Sequence, residues 1–296
     1  MQRLAIDAGL MHAALAPGVA PPRSLSAMTM LGMLPLQSPT SVEVATAEAH
    51  LARTEALWRA VASGEVPLAL RWYTYAAPAV VLGTSQPMAV VDEEACRRAG
   101  VAVVRRTSGG TAVLASADLL ALDVALPADH PLAGGDVVEA YRWLGAAFAA
   151  ACRDAVPAGR WPVRLVSIDE ARADQRRQRS AGAGSVLAAR ALACFGTLSP
   201  YEVAVQKHGQ AAKLVGLAQV RKRGVVLYQA GLYLQFSGVH LASLLAVPQA
   251  ARPALAAELE RRVASLADLG LAPDGVPELI RRVHAIVQDL VSGQGA

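Results

Sequence analysis

Arg105-Arg106-Thr107-Ser108-Gly109-Gly110-Thr111-Ala112-Val113 is the stretch from which the rest of the chain can be read. It follows Val101–Val104, a short β-rich run that reads as a strand, and it sets two guanidiniums beside two adjacent glycines. Small residues let backbone N–H groups approach an anion and neighbouring arginines neutralise it, so the stretch suits a phosphate or carboxylate cradle. By spacing alone, an ordinary β-turn carrying solvated arginines fits equally well. The chain has no Gly-x-x-x-x-Gly-Lys-Ser/Thr loop and no dinucleotide fingerprint, which removes both familiar nucleotide-binding elements.

Upstream of this turn, Ala47, Leu51, Leu57, Trp58 and Val61 recur near helical spacing and predict an amphipathic helix over 42–62, ended by Ser63 and Gly64. Leu68–Tyr75 and Ala79–Leu82 read as strands separated by a bend at Pro78. Asp92 caps a short helix that closes at Gly100. Downstream, Leu119–Leu126 alternates around Asp123 as a strand, and residues 136–154 predict a long helix with Tyr141, Leu144, Phe148 and Cys152 inward. Residues 167–190, charged and then Gly/Ala/Ser-rich, read as a long mobile loop. Tyr201–Val205, Leu214–Val220 and Val225–Leu234 read as strands joined by tight turns, and two amphipathic helices near 254–266 and 277–290 finish the chain. Successive strands with short turns imply antiparallel pairing. The expected fold class is therefore α+β: a mixed, largely antiparallel sheet with helices packed on one face.

Composition narrows the function classes. With 296 residues the chain can bury one sizeable core, and no apolar run approaches the roughly 20 residues of a membrane span. The net charge of +4 is mild and its signs are interspersed. Arg176, Arg177 and Arg179, the densest basic patch, lack interleaved aromatics, which argues against nucleic acid. They read as a solvated loop, with an acidic protein partner as the sharper alternative. Cys96, Cys152 and Cys194 have neither disulfide nor zinc spacing, so no metal site is expected and a reducing, cytoplasmic setting fits. Cys96 and Cys152 lie on helical core faces and read as inert. Residues 1–33, with Pro17, Pro21 and Pro22 breaking the apolar run, read as a disordered tail before a single domain over 34–296.

One bias points at chemistry. The chain has 25 Arg, three Lys and no Asn, and Lys207, Lys213 and Lys222 fall within sixteen consecutive positions. Where a positive charge alone suffices Arg can serve, but a compact ammonium cannot be replaced, so a reactive lysine is expected in this segment, with three chance survivors on one surface hairpin as the alternative. Lys207 and Lys222 read as surface residues.

These stretches together resemble the biotin and lipoate protein ligase family. Residues 105–113 are similar to its Arg-Arg-x-x-Gly-Gly signature. Leu70, Arg71, Trp72 and Tyr73, followed by Leu82, Gly83 and Gln86, resemble its "LRxY…LGxxQ" strands. Lys213, Gly216, Ala218, Gln219, Arg221 and Gly224 resemble its "KxxGxAQxR…G" element, and Cys194, Phe195, Tyr201 and Glu202 the "CF…YE" stretch of its octanoyltransferase branch. Many members carry histidines where this chain has Ala115 and Ala230.

The resemblance implies a biotin-ligase-like catalytic domain related to class II aminoacyl-tRNA synthetases, and two chemistries. An octanoyltransferase takes an octanoyl group from acyl carrier protein to a lysine of a lipoyl carrier domain, either the glycine cleavage H protein or a 2-oxoacid dehydrogenase E2. It needs no cofactor. A lipoate-protein ligase instead uses ATP and Mg to make lipoyl-AMP. A non-catalytic acyl-binding relative is the third reading. Cys194 favours the first: a thiol of reference pKa about 8.5 becomes a better nucleophile beside an ammonium, and Lys213 is the candidate partner. By the same resemblance Arg71, Tyr73, Arg105, Thr107, Ser108, Gly109, Gly110, Thr111, Gly216 and Ala218 are expected to bind substrate.

Overall fold

In the computed structural model, which describes residues 42–156, 161–182 and 184–293, the chain opens with β1 (Glu43–Ala45), α1 (Ala47–Ala62), β2 (Ala69–Tyr75) and β3 (Ala79–Leu82). It continues through α2 (Glu93–Arg98), β4 (Ala102–Arg105), β5 (Val113–Ala115), β6 (Leu119–Pro127), α3 (Arg142–Ala155) and β7 (Arg164–Leu165). Next come α4 (Ile168–Arg179), α5 (Val186–Arg190), β8 (Val203–Lys207), β9 (Gln210–Lys222) and β10 (Val225–Tyr233), then α6 (Gly238–Leu244), α7 (Arg252–Arg262) and α8 (Val276–Val291). The tail expected at residues 1–33 lies outside the described residues.

Seven strands form one sheet in the order β1-β2-β6-β10-β9-β8-β7, antiparallel except for the β1–β2 pair. A second sheet has the order β4-β3-β5, with β3–β4 parallel. This is the expected mixed, largely antiparallel α+β fold. Helices cover both faces of the large sheet, however, not one. Leu120, Leu122, Val124 and Leu126 pack with Phe148 of α3 and Val283 of α8, while Ala125 on the opposite face packs with Leu57 and Trp58 of α1. All of Leu119–Leu126 is buried, so the alternation around Asp123 separates two covered faces. On α8 alone Leu279, Ile280, Val283, Val287 and Val291 are buried, each stabilising by about 1.5–3 kcal/mol relative to exposure. Among the described residues no helix is long and apolar enough to cross a membrane.

Asp123, the charged residue of β6, is fully enclosed and saturated by four donors. Arg71 Nη2 and Thr54 Oγ1 each lie 2.7 Å from Oδ2, and Tyr73 Oη and Gln229 Nε2 lie 3.1 and 2.9 Å from Oδ1. The register places Arg71, Asp123 and Gln229 directly across β2, β6 and β10. The knot therefore fixes three central strands and α1 in one register.

Several local expectations are corrected. The helix expected from residue 42 begins at Ala47 behind the N-cap Thr46, because Glu43–Ala45 pairs as an edge strand and Glu43 bonds Arg53 and Arg71. The helix expected over 136–154 starts as an α-helix only at Arg142, after a single 3-10 turn at Glu139–Tyr141. The loop expected over 167–190 contains α4 and α5. Ser167 caps α4, acids fill its first turn and arginines its last, which matches the helix dipole at both ends. Arg176, Arg177 and Arg179 are thus helical. Lys207, expected at the surface, is buried, donating to the Val263 carbonyl and to Asp268 at 3.0 Å each, and it staples the chain after α7 to the end of β8.

The reason α4 is ordered is a second buried charge cluster. Asp174 is fully enclosed and accepts from Arg190 of α5 and Arg262 of α7 at 3.0 Å each, and from the Leu198 N–H at 3.1 Å. Burial alone would raise its carboxyl, but Arg262 and Arg190 carry it below the ordinary value. Its contribution to stability is therefore present above about pH 4 and is lost as pH falls through the lowered folded value. Asp174→Asn is expected to cost about 3–5 kcal/mol in urea unfolding at pH 7, since two guanidiniums are left buried without it. The gap from the parent should narrow as the titration is repeated below pH 4.

Candidate active site

The Gly-rich turn is built from the inside by its own arginines. The Arg106 guanidinium donates to the carbonyls of Gly109, Thr111 and Val81 at 2.9, 3.1 and 3.2 Å. Arg105 donates to the carbonyls of Gly83, at 2.9 Å, and of Gln86. Neither guanidinium serves as the anion-neutralising pair that the sequence suggested. They consume loop carbonyls instead, and among the described residues no backbone acceptor engages the N–H groups of Gly109, Gly110 or Thr111. Gly110 has φ of +99°, and its carbonyl lies so near Gly83 that a Cβ there would sit 1.9 Å from it. Gly83 is required by this close approach, and Gly110 by its positive φ.

The loop is joined directly to the cysteine segment. Cys194 N–H donates to the Ala112 carbonyl at 2.8 Å and Ala112 N–H to the Leu192 carbonyl at 3.0 Å, a parallel bridge between Ala112 and Ala193. Gln86 Nε2 donates to the same Leu192 carbonyl at 3.0 Å. Cys194 opens a 3-10 turn, half-buried, whereas Cys96 and Cys152 are buried, and burial pushes the Cys152 thiol up to about 12.

Two cavities meet at Cys194. One is apolar, with Tyr73, Tyr75, Leu119 and Phe195 in its walls. Its floor follows from strand register: Ala121, Gly231 and Gly216 stand side by side on β6, β10 and β9. A Cβ on Gly216 would lie 3.2 Å from the Phe195 ring. The other cavity is more polar and is lined by Gly109, Gly110, Thr111, Glu202, Lys213 and Gln219. Cys194, Leu217 and Ala218 line both.

Lys213 reaches the polar cavity through a register shift between β8 and β9, where Val203 faces Val215 but Ala204 faces Lys213. The bulge turns Lys213 to the side of Gly216 and Ala218, which strict alternation would deny it. Its ammonium donates to Glu202 Oε1 at 2.7 Å and to the Cys194 carbonyl at 2.8 Å, and lies 5.7 Å from the centre of the Phe195 ring. Lys213, the expected partner of Cys194, thus shares the polar cavity with it, and the ammonium bonds the cysteine's carbonyl. Burial pushes the Glu202 carboxyl up, and Lys213 opposes that shift.

Of the remaining expected binding residues, Tyr73 lines the apolar cavity, Gly216 its floor, and Gly109, Gly110, Thr111 and Ala218 the polar one. Arg71 sits behind the wall in the Asp123 knot. Ser108 is buried, with its hydroxyl on Gln229 Oε1, while Arg105 and Thr107 face outward and line neither cavity. Ala115 and Ala230 are buried, Ala230 in the apolar wall. The sequence named Glu202 and Phe195 only within the resemblance, with no individual role, and cast Arg106 as an anion-neutralising cation and not as the internal support of the turn. For Glu202 the available signal was an acid leading directly into the apolar run Val203–Val205.

The chain is similar to known proteins in sequence and in fold. A family model described as the lipoyl protein ligase A/B catalytic domain matches residues 46–287. The chain is 30% identical over 246 residues to the octanoyltransferase LipM of Moorella thermoacetica, covering 80% of this chain and 82% of that one. It is 34% identical over 229 residues to the octanoyltransferase LipM of Kyrpidia tusciae, covering 76% of each. In fold it is similar to a bi-partite lipoate protein ligase of Thermoplasma acidophilum, with TM-score 0.56, 17% identity and coverage of 85% and 92%. A lipoate-protein ligase A bound with ATP gives TM-score 0.55, 17% identity and coverage of 86% and 95%.

Gly83→Ala tests the loop geometry. The added methyl must displace the Gly110 carbonyl, so alkylation of Cys194 by iodoacetamide is expected to change rate by about tenfold while the circular dichroism spectrum is retained. An unchanged rate would show that the loop does not set the environment of the thiol.

Proposed function

The chain belongs to the lipoyl protein ligase A/B catalytic-domain family, and on that premise we propose that it is an octanoyltransferase of lipoate biosynthesis working through a thioester on Cys194. The observation that carries this reading is the position of Cys194 at the junction of an apolar and a polar cavity. An acyl chain and a charged carrier arm need such opposite surroundings, and the reacting carbonyl belongs at their meeting point.

The Cys194 thiolate attacks the carbonyl carbon of octanoyl acyl carrier protein. The carbonyl π electrons move to oxygen, where the N–H groups of Gly110 and Thr111 and the Lys213 ammonium can stabilise the charge. Collapse expels the carrier's thiolate, which takes a proton, and leaves the octanoyl group on Sγ with its chain over Ala121, Gly231 and Gly216. The neutral amine of a lysine on a lipoyl carrier domain, the glycine cleavage H protein or a 2-oxoacid dehydrogenase E2, then attacks the thioester. Its proton is lost, the amide forms and the Cys194 thiolate is released. Amide formation from a thioester is downhill, so neither ATP nor Mg is needed. The residues also fit a triphosphate poorly: Arg105 and Arg106 are bound to carbonyls, and Lys213, the cation among the described residues lining the polar cavity, is held by Glu202.

Octanoyl acyl carrier protein is expected to add the mass of one octanoyl group, mapped to Cys194. Cys194→Ser and Lys213→Ala should each lower transfer by roughly 10³-fold or more, the former with no adduct. An unmodified Cys194 under conditions that acylate a control enzyme contradicts this reading. Pyrophosphate exchange dependent on octanoate or lipoate would instead support a ligase in which Cys194→Ser stays active. Fatty-acid binding without either activity would support a non-catalytic relative.

A further inference from the structure

We propose that Glu202 is a positioning residue for acyl transfer, one that fixes the Lys213 ammonium so that a single N–H remains for the Cys194 sulfur and the acyl oxygen. This rests on the reading of Cys194 as the nucleophile.

An ammonium has three donors. Two of those on Lys213 are committed, one to Glu202 Oε1 at 2.7 Å and one to the Cys194 carbonyl at 2.8 Å. Tetrahedral geometry then leaves the third with a defined direction, and both Lys213 and Cys194 line the polar cavity where the acyl oxygen would form. The Glu202 carboxylate is itself immobilised from two sides. Its Oε2 accepts from the Ser199 N–H at 2.7 Å, in the chain just after the nucleophile, and its Oε1 from the Leu217 N–H at 3.3 Å, on β9. One side chain therefore ties the cysteine segment, the lysine strand and the ammonium together.

The energetics favour a function beyond simple packing. Lys213 and Glu202 are each 1% exposed. In such surroundings a buried positive charge without a counter-ion is costly, and a nearby carboxylate offsets that cost. Among the described residues, the titratable and charged groups around this pair and the sulfur include Cys194 from the nucleophile turn, Tyr141 just before α3, which shares the cavity, Tyr233 of β10 behind Cys194, and Arg106, whose guanidinium flanks Gly110 beside the Cys194 sulfur. Tyr141 and Tyr233 are held protonated, burial pushing both phenols up, so the carboxylate of Glu202 is the counter-charge for Lys213.

Glu202→Gln keeps the size of the side chain and removes its charge. The pH profile of Cys194 alkylation by iodoacetamide, followed by intact mass, is expected to move upward by about one unit, tenfold less thiolate at neutral pH. The kcat for octanoyl transfer should fall by at least about tenfold, while KM for octanoyl acyl carrier protein changes less than about twofold. In a Lys213→Met background Glu202→Gln should produce no further shift of the profile, because Glu202 acts through the lysine. A profile superimposable on that of the parent, or an equal additional shift in the Lys213→Met background, overturns the proposal. If Glu202→Gln does not fold, the double variant Glu202→Gln/Lys213→Met, which removes the buried charge pair as a whole, is the folded comparison. Its profile must match that of Lys213→Met alone, and a match to the parent again overturns the proposal. Alkylation needs no acyl donor, so a shifted profile in a protein that forms no octanoyl adduct would overturn the nucleophile reading and with it the catalytic role, while leaving the coupling of Glu202, Lys213 and Cys194 in place.

Discussion

Two hydrogen bonds, from Cys194 N–H to the Ala112 carbonyl and from Ala112 N–H to the Leu192 carbonyl, hold the sulfur where the site needs it. They bind the cysteine segment to the end of the glycine turn, and the small sheet that carries the turn is thereby fixed over the small-residue row of the large one. Each side of this junction depends on residues that only seem ancillary in sequence. Gly83 admits the Gly110 carbonyl, Gln86 holds Leu192, and Arg106 fills the turn from within. Without that support the sulfur would have no fixed relation to either cavity.

Three buried charge groups organise the rest, and each does so by geometry more than by net energy. Burying ions costs several kcal/mol per ion, and their mutual attraction often only offsets this. What Asp123, Asp174 and Glu202 provide is a fixed placement. Asp123 sets the register of β2, β6 and β10, and Asp174 anchors α4, α5 and α7 behind the cysteine segment. Glu202 holds the lysine. The second and third groups flank residues 190–202 from opposite ends, so the nucleophile turn is constrained on both sides.

How much of this could be read from the chain follows from the range of the forces involved. Glycine turns and β-rich runs are local, and they were legible: β2, β3, β6, β9 and β10 stand where those runs put them, while β8 begins two residues later than its run. Gly216 was singled out by the family resemblance, and Lys213 by that resemblance and the lysine cluster, and both line the site. The α4 helix was not legible, because it is polar all round and is ordered by Asp174 reaching Arg262, far along the sequence. The direction of Lys213 depends on a bulge that shifts register against β8, which no one-strand pattern reveals. The arginines of the Gly-rich turn misled for a related reason. Composition marks them as cations but does not say that backbone carbonyls inside the turn will take them.

The most direct test is a single-turnover chase. Octanoylated protein, freed of donor, is mixed with a lipoyl carrier domain in the absence of ATP. The octanoyl group is expected to leave Cys194 and appear on the carrier's lysine in equal amount. Persistence of the adduct, or its loss to water with the carrier unmodified, would contradict the account.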